Sequence, residues 1–74
     1  RRTYKGYGGM IMKLWIARND SGTLEIHQRK PSISKITGRP IWINGGFVGF
    51  VFDDVFLEVT FDNSPQEVEL KLVK

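Results

Sequence analysis

The sequence predicts an all-β domain, with about six short antiparallel strands forming a small barrel or a two-layer roll. Three observations carry that expectation. No segment keeps a helical apolar period over ten or more residues. Runs of β-branched and aromatic residues alternate with polar ones at a period of two, and clusters of Gly, Pro, Asn, Asp and Ser punctuate these runs at close spacing. The densest run is Ile41 to Phe61, where thirteen of 21 residues are Ile, Val, Leu, Phe or Trp. Besides Glu58 and Thr60, it is broken by Asn44-Gly45-Gly46, Gly49 and Asp53-Asp54, residue types that permit turns or bulges.

Residues 1–11 carry Arg1, Arg2, Tyr4, Lys5 and Tyr7 with three glycines and no acid, and read as a flexible basic arm or a cloning remnant. Residues 12–74 form the single β domain. Met12 to Arg18 is the first strand, Asn19-Asp20-Ser21-Gly22 its turn, and Thr23 to His27 the second strand, with Leu24 and Ile26 on one face and Glu25 and His27 on the other. His27 is expected as a solvated strand residue. Gln28 to Arg39 reads as loop, since Pro31 excludes a central strand position and Pro40 holds Arg39 extended, while Ile33 and Ile36 are expected to anchor the loop in the core.

Asn44-Gly45 has the chemistry of a two-residue type I′ hairpin loop, which would place Ile43 opposite Gly46, Trp42 opposite Phe47 and Ile41 opposite Val48. The strand after it is apolar on both faces and is expected to be covered on both. Asp53-Asp54 reads as a turn. Val55 to Phe61 then alternates as a fifth strand with Val55, Leu57, Val59 and Phe61 inward. Asp62-Asn63-Ser64-Pro65 is a second strong turn. Glu67 to Val73 is the last strand, with Val68, Leu70 and Leu72 inward, and an edge position there would let it pair with the same strand of another copy.

At 74 residues this is one small domain, for which a core alone rarely supplies more than about 3 to 5 kcal/mol. It has no cysteine, so no disulfide or thiolate metal site supplements that core. Efficient β packing or self-association has to do so. No apolar run approaches the roughly 20 residues needed to cross a bilayer and no signal-peptide core is seen, so a cytoplasmic protein without a membrane partner is expected.

The formal charge of +3 is local in origin. Without Arg1, Arg2 and Lys5 the chain has 8 basic and 8 acidic residues. The body charges segregate: Arg29, Lys30, Lys35 and Arg39 lie in an acid-free stretch, whereas Asp53 to Glu69 contains no Lys or Arg. Such a division marks either a binding face or two solvated edges.

His27 is the only histidine, which leaves a poor ligand set for zinc and no base for a nucleophilic triad. Asp53 and Asp54 are adjacent and nonspecific. The expectation is therefore no enzyme, no cofactor, no metal and no small-molecule substrate. Gly46-Phe47-Val48-Gly49-Phe50-Val51-Phe52 resembles the base-stacking RNP1 strand of RNA-recognition domains, yet Phe47 and Phe50 face opposite ways on a regular strand. A bulge at Gly49 would bring them to one face.

Leu14 to Leu24 with Lys30-Pro31, and Glu58 to Leu70, are two stretches that together resemble a group of small uncharacterised proteins of gut bacteria and their phages. That group opens with an LWIARD-DG-L hairpin and closes with an EVTWENSP-EVEL segment; here Phe61 stands where tryptophan is expected. The resemblance implies a start near Met12 and a phage or mobile-element context, and it transfers no functional residue.

The function expected from these readings is binding, with another protein or a second copy of the chain as partner. The alternative is a single-stranded nucleic-acid-binding β-barrel using the basic loop 29–39. The binding residues would be Arg29, Lys30, Lys35 and Arg39, with Trp15 and Trp42 beside them as stacking surfaces.

Overall fold

The computed structural model describes residues 11–71. The expected arm before Ile11, and Leu72 and Val73 at the other end, lie outside the described residues. The described chain is all-β, with six strands in two antiparallel sheets and no closed barrel. The strands are β1 (Ile11–Arg18), β2 (Leu24–His27), β3 (Ser32–Ser34), β4 (Ile41–Ile43), β5 (Phe47–Val51) and β6 (Gln66–Lys71). The larger sheet has the order β5-β2-β1-β6, and β3 and β4 form a separate two-stranded ribbon.

The first hairpin forms as its sequence dictates. Asn19 organises the turn: its side-chain oxygen accepts from the Thr23 backbone N–H at 3.0 Å and from the Ser21 hydroxyl at 2.7 Å. Its backbone N–H donates to Thr23 O, and Gly22, at φ 98°, donates to Asn19 O. The register that follows pairs Arg18 with Leu24, Ile16 with Ile26 and Trp15 with His27.

That register sorts the sheet into two faces, because residues opposite one another in antiparallel strands share a face. Ile16, Leu24, Ile26, Val51 and Val68 face one way and meet Val55 and Val59 from the segment after β5. Ile16, Leu24 and Val59 are the buried centre of this core. Trp15, Ala17, Glu25, His27, Phe47 and Phe50 belong to the other face.

Several expectations need correction. The Asn44-Gly45 hairpin does not form: β4 pairs with β3, placing Trp42 opposite Ile33, and β5 pairs with β2. The reason lies in the backbone of Gly45 and Gly46, whose carbonyls accept from the N–H groups of Arg29 and Gln28 at 2.7 and 3.1 Å, continuing the β2 ladder. Asn44 at φ 65° and Gly46 at φ 73° take the left-handed conformation foreseen for such residues, but they redirect the chain from the ribbon to the sheet. The loop 28–39 also holds a strand, β3, directly after the buried Pro31. Ile33 and Ile36 do not anchor it: Ile33 is exposed and Ile36 is 92% exposed.

Val55 to Phe61 is not a strand. Its hydrogen bonds are local turns, Val55 N–H to Phe52 O and Val59 N–H to Phe56 O, and Phe56 sits at φ 52°. Val59 is buried and Val55 half-buried, as the alternation required, whereas Leu57 is exposed. What replaces a neighbouring strand is Arg18. Its Nε donates to Val59 O at 2.6 Å, Nη1 to Gly22 O at 2.8 Å and Asp53 O at 3.0 Å, and Nη2 to Val55 O and Phe56 O at 3.0 Å each. A guanidinium has five N–H donors, and here the five bonds end on backbone carbonyls.

The turn expected at Asp62–Pro65 is present, one residue early. Thr60 and Asn63 cap one another there: Thr60 N–H donates to Asn63 Oδ1 at 2.7 Å and Asn63 N–H to Thr60 Oγ1 at 3.2 Å. The Ser64 hydroxyl accepts from the Arg18 backbone N–H at 2.9 Å and ties this turn to β1. β6 is an edge strand, as expected, pairing Leu14 with Val68 and Met12 with Leu70; Val68 packs inward but Leu70 is exposed.

Candidate interaction surface

The most apolar exposed part of the described chain is β5. It lies at the open edge of the larger sheet, so coverage on both sides, expected from its two apolar faces, does not occur. Phe47, Val48, Phe50 and the following Phe52 are exposed, Phe50 by 64% and Phe52 by 78%. The ladder with β2 pairs Ile26 with Gly49 but His27 with Phe47, so Val48 is an extra residue and the strand is bulged. The slip is one residue away from the Gly49 position at which sequence reasoning would place it. It has the consequence foreseen: Phe47 and Phe50 share a face, their ring centroids 5.1 Å apart in an edge-to-face arrangement.

Beneath Phe47 lies His27, 5.9 Å from it between ring centroids. The expectation of a solvated histidine is overturned: His27 is 1% exposed. Its Nε2 is 2.8 Å from Glu25 Oε1, and its Nδ1 has no hydrogen-bond partner among the described residues. The backbone of Gly45 closes over this ring so tightly that a Cβ there would stand 2.5 Å from Nδ1. The imidazole is thus a packing element under the exposed aromatics, pinned by Glu25 and Gly45.

The six residues expected to bind do not form one surface. Lys30 and Trp15 come together, with the ammonium 5.7 Å from the ring centroid. Arg29 places its guanidinium against Gly46, at the entrance to β5. Lys35 is exposed on the connection after β3. Arg39 turns to the opposite end and pairs with Asp20 at 2.9 Å in a solvent-facing salt bridge. Trp42 is half-buried: its indole N–H donates to Arg18 O at 3.2 Å, and its ring lies 6.1 Å from that of Phe61. With its partners inside the fold, Trp42 is a joint between ribbon and sheet. Arg39 and Trp42 do share the wall of a cleft of about 430 Å³ with Asn19, Asp20 and Glu25.

Sequence reasoning missed the exposure of Phe47, Val48, Phe50 and Phe52. Their apolar alternation could equally describe a central strand, and only sheet order decides between the two. Among the described residues no group of three or more His, Asp or Glu is arranged to hold a metal ion, and no helix is long and apolar enough to cross a membrane. No family model matches this chain, and no curated protein or solved structure is significantly similar to it.

Proposed function

We propose that this protein is a protein-interaction module that docks its partner along the open edge of β5, and that it belongs to a phage or mobile-element setting. The observation that carries the reading is the exposure of Phe47, Val48, Phe50 and Phe52 on an edge strand whose outer backbone groups have no neighbouring strand among the described residues. Exposed apolar edges are ordinarily blunted by charge or proline, and the segment from Pro40 to Phe52 contains no charged residue. The opposite edge, β6, is blunted in that way by Glu67, Glu69 and Lys71. An edge left unprotected suits strand addition, in which main-chain hydrogen bonds supply affinity and alternate side chains supply selectivity.

A second reading rests on the Phe47–Phe50 pair. Two exposed rings on one face beside Arg29 are a stacking platform of the kind used for single-stranded nucleic acid. The charge balance favours the protein partner, because apart from Arg1, Arg2, Lys5 and Lys74 seven basic residues face eight acidic ones.

Photo-crosslinking in the native host separates the two. A benzophenone amino acid at position 50 is expected to give discrete protein adducts that are absent when the same group replaces the exposed Ile36. Adducts with nucleic acid alone, or none from position 50, would overturn the protein-interaction reading.

A further inference from the structure

Resting on that reading, we infer that the partner at the β5 edge is a second copy of this chain, bound antiparallel about a two-fold axis at Phe50. The two four-stranded sheets then join into one continuous sheet of eight strands. Three features of the edge point to a copy of itself.

The segment is self-complementary. With the axis at Phe50, Gly49 faces Val51 of the other copy, Val48 faces Phe52, and the two Phe50 side chains meet one another. Aromatic rings opposite each other or opposite β-branched side chains are favourable cross-strand pairs, and Gly49 leaves room for the approach. An axis at Gly49 would instead oppose Phe47 with Val51, which the Val48 bulge has put on opposite faces. The position of the bulge therefore favours Phe50 over Gly49.

Charge agrees with this choice. With the axis at Phe50 the residues that meet their own kind are 48–52, which carry no charge, and Asp53 beyond them faces Phe47, so no like charges are opposed. Pairing through β6, as the sequence alone would have it, brings the exposed Glu67 and Glu69 of one copy against those of the other. The available area also fits. Four exposed apolar side chains amount to roughly 400 Å² per copy, or about 800 Å² for the pair, below the size of a permanent complex. The dimer is thus weak and concentration-dependent, and it covers the apolar edge of a domain with a small core of its own.

Sedimentation velocity of the full chain from about 10 µM to about 1 mM tests the inference. The expected result is a reversible monomer–dimer equilibrium. Val48→Lys and Phe52→Glu should each weaken it at least about tenfold, since each puts an unpaired charge in an apolar contact. Mixing the two variants should restore association, because the lysine of one then faces the glutamate of the other. The chain lacks cysteine, so Phe50→Cys should form a disulfide dimer under mild oxidation and Glu69→Cys should not.

A dimer unmoved by Val48→Lys, or crosslinked through position 69 and not 50, would overturn the β5 placement while leaving a self-associating module. A chain that stays monomeric throughout would overturn the second copy as partner. The protein-interaction reading would then stand or fall on the identity of the position-50 adducts.

Discussion

Arg18 Nε lies 2.6 Å from the carbonyl oxygen of Val59, 41 residues further along the chain, and this bond organises the half of the molecule that lacks regular structure. Val59 is buried in the core beside Ile16 and Leu24, and Arg18 ends the strand that carries Ile16. The guanidinium collects the carbonyls of Asp53, Val55, Phe56 and Val59, which a neighbouring strand would otherwise satisfy. It also holds Phe56 in a left-handed conformation that a bulky residue adopts only under constraint.

Arg18→Lys is therefore not a conservative change. An ammonium has three donors on one nitrogen and cannot span five carbonyls, so bonds to Val59 O or Phe56 O are lost. Hydrogen bonds from charged donors contribute about 1.5 to 3 kcal/mol each, and a loss of roughly 2 to 4 kcal/mol is expected. Urea denaturation followed by far-UV circular dichroism reads it directly. A midpoint close to wild type would show that the carbonyls are served equally well by water.

Two glycines separate packing from backbone freedom. Gly45→Ala drives a methyl to within 2.8 Å of the His27 Cβ and Cγ, and His27, 1% exposed and held by Glu25, has no room to turn. Overpacking of this kind costs about 1 to 3 kcal/mol. Gly49→Ala meets no atom within 4 Å. It restricts the unfolded chain and should leave stability unchanged or raised by up to about 1 kcal/mol. Thermal unfolding of the two variants side by side gives the comparison, and equal losses would contradict the close approach at Gly45.

The parts of this fold legible in the sequence are those whose cause is local. Asn19 to Gly22 makes its turn from its own side chains, and the alternation of Leu24, Glu25, Ile26 and His27 sets the strand faces without help from elsewhere. Asn44 was readable as a left-handed residue, but where the chain goes after it depends on Arg29 and Gln28 supplying N–H groups to Gly45 and Gly46. The strand expected at Val55 to Phe61 failed for the same reason, since an arginine 37 to 41 residues away took its carbonyls. The surface was harder still. Lys30 and Arg39 look equivalent in sequence, yet one lies over Trp15 and the other pairs with Asp20 at the far end. Whether Phe50 is core or surface follows from β5 being outermost, a property of the whole sheet.

The joint between ribbon and sheet is Trp42. Trp42→Phe keeps the ring contact with Phe61 but removes the indole donor to Arg18 O, an expected loss of about 0.5 to 1.5 kcal/mol. Phe61→Ala removes the ring partner and should destabilise by a similar or larger amount, whereas Phe61→Trp keeps an aromatic pair and should fall within about 1 kcal/mol of wild type. Urea titrations followed by far-UV circular dichroism report all three. An unaffected Phe61→Ala would mean that the indole bond to Arg18 O and the backbone bonds of Gly45 and Gly46 hold the ribbon without the ring contact.

Folding and assembly separate at β6. Truncation after Gln66 takes away Val68, which packs against the core, and strips β1 of its β6 partners from Ile11 to Trp15. β1 is the strand that carries Ile16 and Arg18, so losing its neighbour exposes the ladder on which the core depends. The truncated chain is expected to lose its dispersed amide NMR spectrum, because a sheet reduced to three strands in so small a domain has too little buried surface to stay ordered. Loss of a dimer in that chain would say nothing about where copies meet, since nothing folded remains to associate. Charge reversal does distinguish them. Glu67→Lys with Glu69→Lys changes only exposed side chains on the outer edge, and it should leave both the spectrum and the association constant near wild type if copies meet through β5. A truncated chain that keeps its dispersion would contradict the role given to β6, and a charge-reversed chain that folds but no longer associates would move the contact to that edge.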